Sequence, residues 1–305
     1  MQNNKKYLVV VCGATAVGKT ALAIQLANEY NTEIVSADSR QFFAEISIGT
    51  AKPSKEEMAL AKHHFIGHIS IETNFNAGRY EVEGLEKLNQ LFLRYNVIVL
   101  VGGSGLYINA LCNGMDEIPE IKSDIRSQLN KKFKLEGIEP LLQQLKRLDE
   151  VYYNEVDQSN HIRIIRALEV CLSTGKPFSS YRKKTRKERD FEVIKIGLNL
   201  TREVLYNRIN ERVDAMLAAG LVAEVQSLIP QKHLNALHTV GYSELFDYFD
   251  GQISFEIAVE LIKQHTRNFA KRQLTWFKKD ADIQWFEPND YYTSIAEYLA
   301  LKIKP

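Results

Sequence analysis

Eight consecutive residues carry the clearest chemistry in the chain: Gly13-Ala14-Thr15-Ala16-Val17-Gly18-Lys19-Thr20, which match G-x-x-x-x-G-K-[ST] at every fixed position. An apolar, β-branched run, Tyr7 to Val11, precedes them, and a helical stretch, Ala21 to Ala27, follows. A strand, a glycine-rich turn and a helix in that order make a polyphosphate cradle. Backbone N–H groups fold around the phosphate oxygens and the helix N-terminus adds positive potential. Lys19 is expected to reach the terminal phosphates, and the Thr20 hydroxyl to ligate Mg²⁺, the cofactor this motif implies.

Asp38 is the second reactive group. A short strand, Thr32 to Ala37, ends at Asp38-Ser39-Arg40-Gln41, and doubly wound sheets gather their ligands at the carboxyl ends of the strands. The carboxylate should therefore stand beside the phosphate loop, where it can take a proton from a nucleophile. The strand Asn96 to Val101 runs into Gly102-Gly103-Ser104-Gly105, not into an aspartate. P-loop hydrolases usually use an aspartate at such a strand end to help hold the metal. A glycine-rich exit also admits a bulky or flat ligand. Arg208 and Arg212 lie four apart on one helix face. Either they aim forked guanidiniums at a diphosphate, or they pair with Glu211 and solvent.

The elements that must position these groups alternate strand and helix up to about residue 114. From Met115 to Asp190 the alternation stops, and 122–135, 139–148 and 160–173 read as helices. Strand character returns at 191–198. The expected fold is α/β: a P-loop NTPase-like parallel sheet core, residues 1–114 and 191–305, with a helical insertion domain at 115–190. Ser54 with Glu57 signals a capping box, and Thr201 is expected to cap a helix that stops at Gly220. His63-His64-Phe65-Ile66-Gly67-His68 reads as a strand. Its histidines lack the H-E-x-x-H spacing of a helical zinc site, so packing or a site wall is expected of them.

The net charge of +1 over 305 residues hides two basic segments. Tyr181-Arg182-Lys183-Lys184-Thr185-Arg186-Lys187-Glu188-Arg189 is one, with Arg163 and Arg166 on the helix before it. The other spans Lys263, Arg267, Lys271, Arg272, Lys278 and Lys279, with Gln273 and Trp276 among them. Each is either a solvated face or a footprint for a phosphate backbone, and interleaved aromatics suit nucleic acid. No 18-residue apolar run and no signal-peptide core occur, and Cys12, Cys112 and Cys171 are isolated. No membrane association and a cytoplasmic location are expected.

The motifs in combination resemble one family. G-x-T-x-x-G-K-T at Gly13 to Thr20, S-x-D-S-x-Q at Ser36 to Gln41 and G-T-A-K-P at Gly49 to Pro53 occur in order. V-G-G-S-G-L-Y at Val101 to Tyr107, R-A-L-E at Arg166 to Glu169, T-G-K-P at Thr174 to Pro177 and K-R-Q-L-T-W at Lys271 to Trp276 follow. From end to end the chain resembles the bacterial tRNA dimethylallyltransferases. The resemblance implies transfer of a dimethylallyl group from dimethylallyl diphosphate to N6 of adenosine 37 in tRNA, with the target base flipped into a pocket. It makes Asp38 the general base, with Thr15, Arg208 and Arg212 in the catalytic set. It assigns 13–20 to the diphosphate. Asp38, Ser39, Arg40, Gln41, Ser104, Arg126, Ile162, Arg163, Ile164, Ile165, Arg166, Thr239, Val240, Gly241, Tyr242, Ser243, Glu244, Lys271, Arg272 and Gln273 become tRNA contacts. A monomer is the simplest assembly. Many members read G-Y-R-Q where this chain has Gly241-Tyr242-Ser243-Glu244, and the zinc finger of eukaryotic relatives is missing.

Two other functions fit parts of the pattern. A P-loop kinase of a nucleoside or small metabolite would use the same cradle for ATP and Asp38 as base, but leaves the basic segments unexplained. A non-catalytic RNA-binding ATPase would need a water-activating residue that the sequence does not display.

Overall fold

The computed structural model describes residues 5–119, 121, 123–183, 185–287 and 291–303. Chain contacts divide it into two units, Met1–Asn113 with Glu188–Pro305, and Gly114–Lys187. In the first unit the chain runs β1 (Tyr7–Gly13), α1 (Lys19–Glu29), β2 (Ile34–Ser36), α2 (Lys55–Leu60), β3 (His63–His64), α3 (Ala77–Phe92), β4 (Val97–Gly102) and α4 (Gly105–Asn113). The helical unit holds α5 (Ser123–Glu136), α6 (Glu139–Leu148), α7 (Glu150–Glu155) and α8 (His161–Thr174). The first unit resumes with β5 (Glu192–Leu198), α9 (Arg202–Ala218), α10 (Leu221–Ser227), α11 (Tyr242–Phe249), α12 (Phe255–Phe277), β6 (Ile283–Phe286) and α13 (Tyr291–Lys302).

The strands form one six-stranded sheet in the order β3-β2-β4-β1-β5-β6, with every pairing parallel. β1 sits between β4 and β5, so Val10 lies beside both Leu100 and Lys195. Tyr7, Val9 and Val11 face α1 on one side, and Leu8, Val10 and Cys12 face α3 and α4 on the other. That double burial is why the strand reads as an unbroken apolar run rather than an alternating one. A further apolar cluster joins Val213, Leu221, Val225, Tyr242, Leu245 and Ile262 to Phe43 and Ile46. It anchors the segment after Asp38 to the C-terminal helices.

The helical unit packs Leu129, Leu141, Leu145, Ile164 and Leu168 into its own core. Its helix α7 went unread in the sequence, although Asp149 is its N-cap and accepts the Tyr152 N–H. The same carboxylate accepts the Ser179 N–H and hydroxyl. The capping box at α2 is formed as expected, by Ser54 and Glu57. Thr201 precedes α9 but makes no side-chain cap.

The histidine-rich stretch is shorter as a strand than its sequence suggests. Only His63 and His64 pair with β2, because Phe65 and Gly67 turn the chain with positive φ. His64 hydrogen-bonds Glu33, and His68 packs among Phe42, Phe65 and Phe75. Among the described residues no cluster of His, Cys, Asp and Glu is set to hold a metal ion, and no helix is long and apolar enough to cross a membrane.

Candidate active site

A cavity of about 850 Å³ opens at the carboxyl ends of β1, β2 and β4. Thr15, Ala16, Gly18, Lys19 and Thr20 form its floor, with Asp38 to Gln41 and Ser104 beside them. Arg208 and Arg212 of α9, Thr239 to Gly241 before α11, and Arg272 and Gln273 of α12 close it. Residues far apart in sequence thus surround one space.

The phosphate loop holds itself open. Gly18 takes φ 106° at the N-cap of α1, so the backbone enters the helix through a conformation costly for any residue with a Cβ. The Lys19 ammonium donates to the Ala14 carbonyl at 2.6 Å. Burial and the nearby Arg212 guanidinium pull the Lys19 pKa down to about 8. Burial also lowers Arg212, against the pull of Asp38. Two cations held where charge is disfavoured, facing one cavity, will be stabilised by an anion placed between them. Arg212 also reaches the Ala51 carbonyl at 3.5 Å. Among the described residues neither arginine pairs with Glu211.

Asp38 lines the same cavity. One carboxylate oxygen accepts the Arg40 N–H at 3.0 Å, an Asx turn that fixes the side chain at the end of β2. Ser104 supports the turn by accepting the Ser39 N–H at 3.0 Å. The end of β4 carries no carboxylate. Gln273 fills that position instead: its Oε1 accepts the Thr15 N–H at 2.8 Å and its Nε2 donates to the Gly103 carbonyl at 2.9 Å. A Cβ on Gly103 would lie 2.3 Å from that Nε2, and one on Gly105 would lie 2.2 Å from the Trp276 ring. The glycine-rich strand exit therefore admits α12, not a flat ligand.

Several residues expected at the tRNA surface are placed elsewhere. Ile164 and Ile165 are buried in the helical unit, and Tyr242 and Glu244 in the sheet unit, so their side chains cannot meet a macromolecule. Glu244 accepts the Gly241 N–H and hydrogen-bonds His265. Gln273 is likewise buried in the contacts just described. The Arg40 guanidinium is spent on the carbonyls of Asn235, Ala236 and His238. Gln41 donates to the Thr50 and Ala51 carbonyls. Arg126, by contrast, stays at the surface, with its side chain 56% exposed while it makes a two-pronged pair with Glu169, which Arg166 also approaches.

Other expected residues do stand at the surface. Ile162 is 69% exposed, Arg163 and Ser243 are exposed, and so are Lys271 and Arg272. In the first basic segment, Arg182 packs over Tyr152 and pairs with Glu155. Arg189 binds Glu81 and the carbonyls of Ala110 and Leu111. Both ends of that segment are thus structural. Lys183 is exposed, and Lys184 lies outside the described residues.

A parallel sheet with a glycine-rich loop after β1, a carboxylate past the end of β2 and an amide at the end of β4, all lining one cavity, outlines the site of an α/β protein. Comparison with known proteins narrows it. Residues 41–280 match the IPP transferase family. The tRNA dimethylallyltransferase of Christiangramia forsetii is 51% identical over 97% of this chain and 98% of its own. That of Flavobacterium johnsoniae is 47% identical, over 98% and 99%. Among solved structures, the tRNA isopentenylpyrophosphate transferase of Bacillus halodurans superposes with TM-score 0.72 at 33% identity, over 98% and 97% of the two chains. A eukaryotic dimethylallyltransferase acting on tRNA gives TM-score 0.80 at 25% identity, over 97% of this chain and 78% of its own. This chain belongs to the IPP transferase family, the tRNA dimethylallyltransferases.

Proposed function

We propose that this protein transfers the dimethylallyl group of dimethylallyl diphosphate to N6 of adenosine 37 in the anticodon loop of tRNA. The observation that carries the reading is the shared cavity of Lys19, Arg212 and Asp38, beside a strand end whose acid position holds Gln273. The cations suit a diphosphate leaving group, and the lone carboxylate suits the attacking amine. Among the described residues, no side chain at the β4 end is equipped to activate water, which would destroy the donor.

In the reaction the bond between the allylic carbon and the diphosphate oxygen breaks, and a bond from that carbon to N6 forms. The electron pair of the broken bond leaves with diphosphate, where the N–H groups of 13–20, Lys19, Arg208 and Arg212 stabilise the developing charge. N6 loses a proton as it bonds, and Asp38 accepts it. Of the residues at hand, the Thr20 hydroxyl would hold Mg²⁺. That donor set fits an ion that keeps several waters, and the ion would add positive charge against the leaving group. The adenine must leave its stack to enter the cavity, at a cost that contacts to the loop backbone offset. On the sheet unit the exposed cations Lys271 and Arg272 are suited to such contacts, as is the exposed Arg163 on the helical unit. The tRNA substrate is in keeping with a cytoplasmic monomer.

Incubation with labelled dimethylallyl diphosphate and unmodified tRNA tests the reading. Label on adenosine, with release of diphosphate, is the expected result. Phosphoryl transfer from ATP without alkylation would favour a kinase instead.

A further inference from the structure

Glu224 stands in the first turn of α10, outside every motif noted in the sequence, and its half-buried carboxylate gathers four donors. Oε2 accepts the N–H groups of Ser47 and Ile48, both at 2.9 Å. Oε1 accepts the Gly49 N–H at 3.0 Å and the Tyr242 hydroxyl at 2.6 Å. Three successive backbone amides and a buried phenol therefore converge on one side chain. Such charge-assisted bonds are about twice as strong as neutral ones.

Both walls of the cavity meet at this carboxylate. On one side lies the loop 47–51, whose Thr50 and Ala51 carbonyls receive Gln41, three residues past Asp38. The Ala51 carbonyl also faces Arg212. On the other side Tyr242 begins α11, directly after the cavity-lining Thr239 to Gly241. The Tyr242 ring packs so closely on Gly49 that a Cβ there would fall 2.5 Å from it. Lys52 closes the loop from beneath, donating to the Phe43 and Ala44 carbonyls and the Ser47 hydroxyl.

We propose that Glu224 is a positioning residue for alkyl transfer: by fixing the 47–51 loop against Tyr242, it sets Asp38 relative to the Thr239–Gly241 wall. The proposal rests on the transferase reading above. Glu224 touches no substrate. Its effect falls on the geometry between acceptor and base, and the phosphate loop 13–20 lies outside its contacts.

The test uses the full chain with Glu224→Gln and Tyr242→Phe. Glutamine keeps one oxygen for the Ser47 and Ile48 N–H groups but turns an NH₂ toward the Gly49 N–H and the Tyr242 hydroxyl, so the anchor loses its charge and its hold on Gly49. The phenylalanine removes one hydroxyl and keeps the ring on Gly49. For Glu224→Gln, kcat for tRNA alkylation should fall about 100-fold, the scale of an ångström's misplacement. KM for dimethylallyl diphosphate, and the affinity for inorganic diphosphate by calorimetry, should change less than about twofold. Tyr242→Phe should lower kcat by roughly 3- to 10-fold with the same split. If Glu224→Gln does not fold, Tyr242→Phe decides alone. An unchanged kcat, or a loss of diphosphate affinity matching the loss of kcat, overturns the proposal. Hydrogen exchange answers without any activity: the Ser47 to Gly49 amides should exchange faster in the variant while the 13–20 amides do not. Unchanged exchange at 47–49 overturns the positioning role, whereas a wild-type chain that never alkylates tRNA refutes the transferase reading instead.

Discussion

Gly103→Ala tests the contact between α12 and the phosphate loop. The added methyl would sit 2.3 Å from the Gln273 Nε2, well inside van der Waals contact. Both neighbours of the methyl are backbone or buried amide, so the Gln273 side chain must withdraw. Two hydrogen bonds go with it, to Thr15 N–H at 2.8 Å and to the Gly103 carbonyl at 2.9 Å. At about 1 kcal/mol net for each, with a further cost for the amide left unpaired, the loss should be about 2–4 kcal/mol. Gln273→Ala alone gives up the same two bonds and should cost about 2 kcal/mol. In that background the clash has no partner, so adding Gly103→Ala should cost under about 1 kcal/mol, a coupling of at least about 1 kcal/mol. Urea unfolding followed by tryptophan fluorescence measures this cleanly. Both tryptophans, Trp276 and Trp285, belong to the sheet unit, so the helical unit does not contribute to the signal. Additive costs for the two substitutions would refute the reasoning, because they would mean that the methyl meets something other than Gln273.

Three further outcomes are expected. Asp38→Asn should lower turnover by about 10²–10⁴-fold while a gel-shift assay finds tRNA binding intact; near-normal turnover would remove Asp38 as the base. Replacing Lys183 and Arg186 by glutamine should weaken tRNA binding and reduce the slope of log affinity against log salt by about 1 for each phosphate no longer neutralised, and an identical slope would make the segment a plain linker. Burial pushes the Glu33 carboxyl up, but hydrogen bonds from His64, Tyr95 and Lys62 outweigh it and bring the pKa down to about 2. A depressed carboxyl stabilises the fold above its unfolded value, near 4.5, and that contribution is lost as pH falls toward 2. The stability gap between wild type and Glu33→Gln should therefore narrow between about pH 5 and pH 2, and a gap that widens on acidification would reverse the sign of the argument.

The glycine turn leading into α1, the alternation of strands and helices, and Asp38 just past a strand end were legible in the sequence because each is a local property. A glycine at a left-handed position, a doubly apolar strand and a capping box express their physics within a few residues. The motif combination likewise carried the family. What those motif residues do was another matter. Arg40, Gln41 and Gln273 have the chemistry of nucleic-acid contacts, but the fold turns them inward onto carbonyls of distant segments. Ile164 and Tyr242, which the resemblance implied as tRNA contacts, are buried. Glu224 carried no signal, since an acid on an amphipathic helix looks solvated until the loop whose amides it receives is brought to it. Chain order determines which groups exist and what each can donate or accept. Only packing decides which donor, 258 residues away in the case of Thr15 and Gln273, arrives within hydrogen-bond reach, because a buried polar group must find a partner wherever the fold provides one.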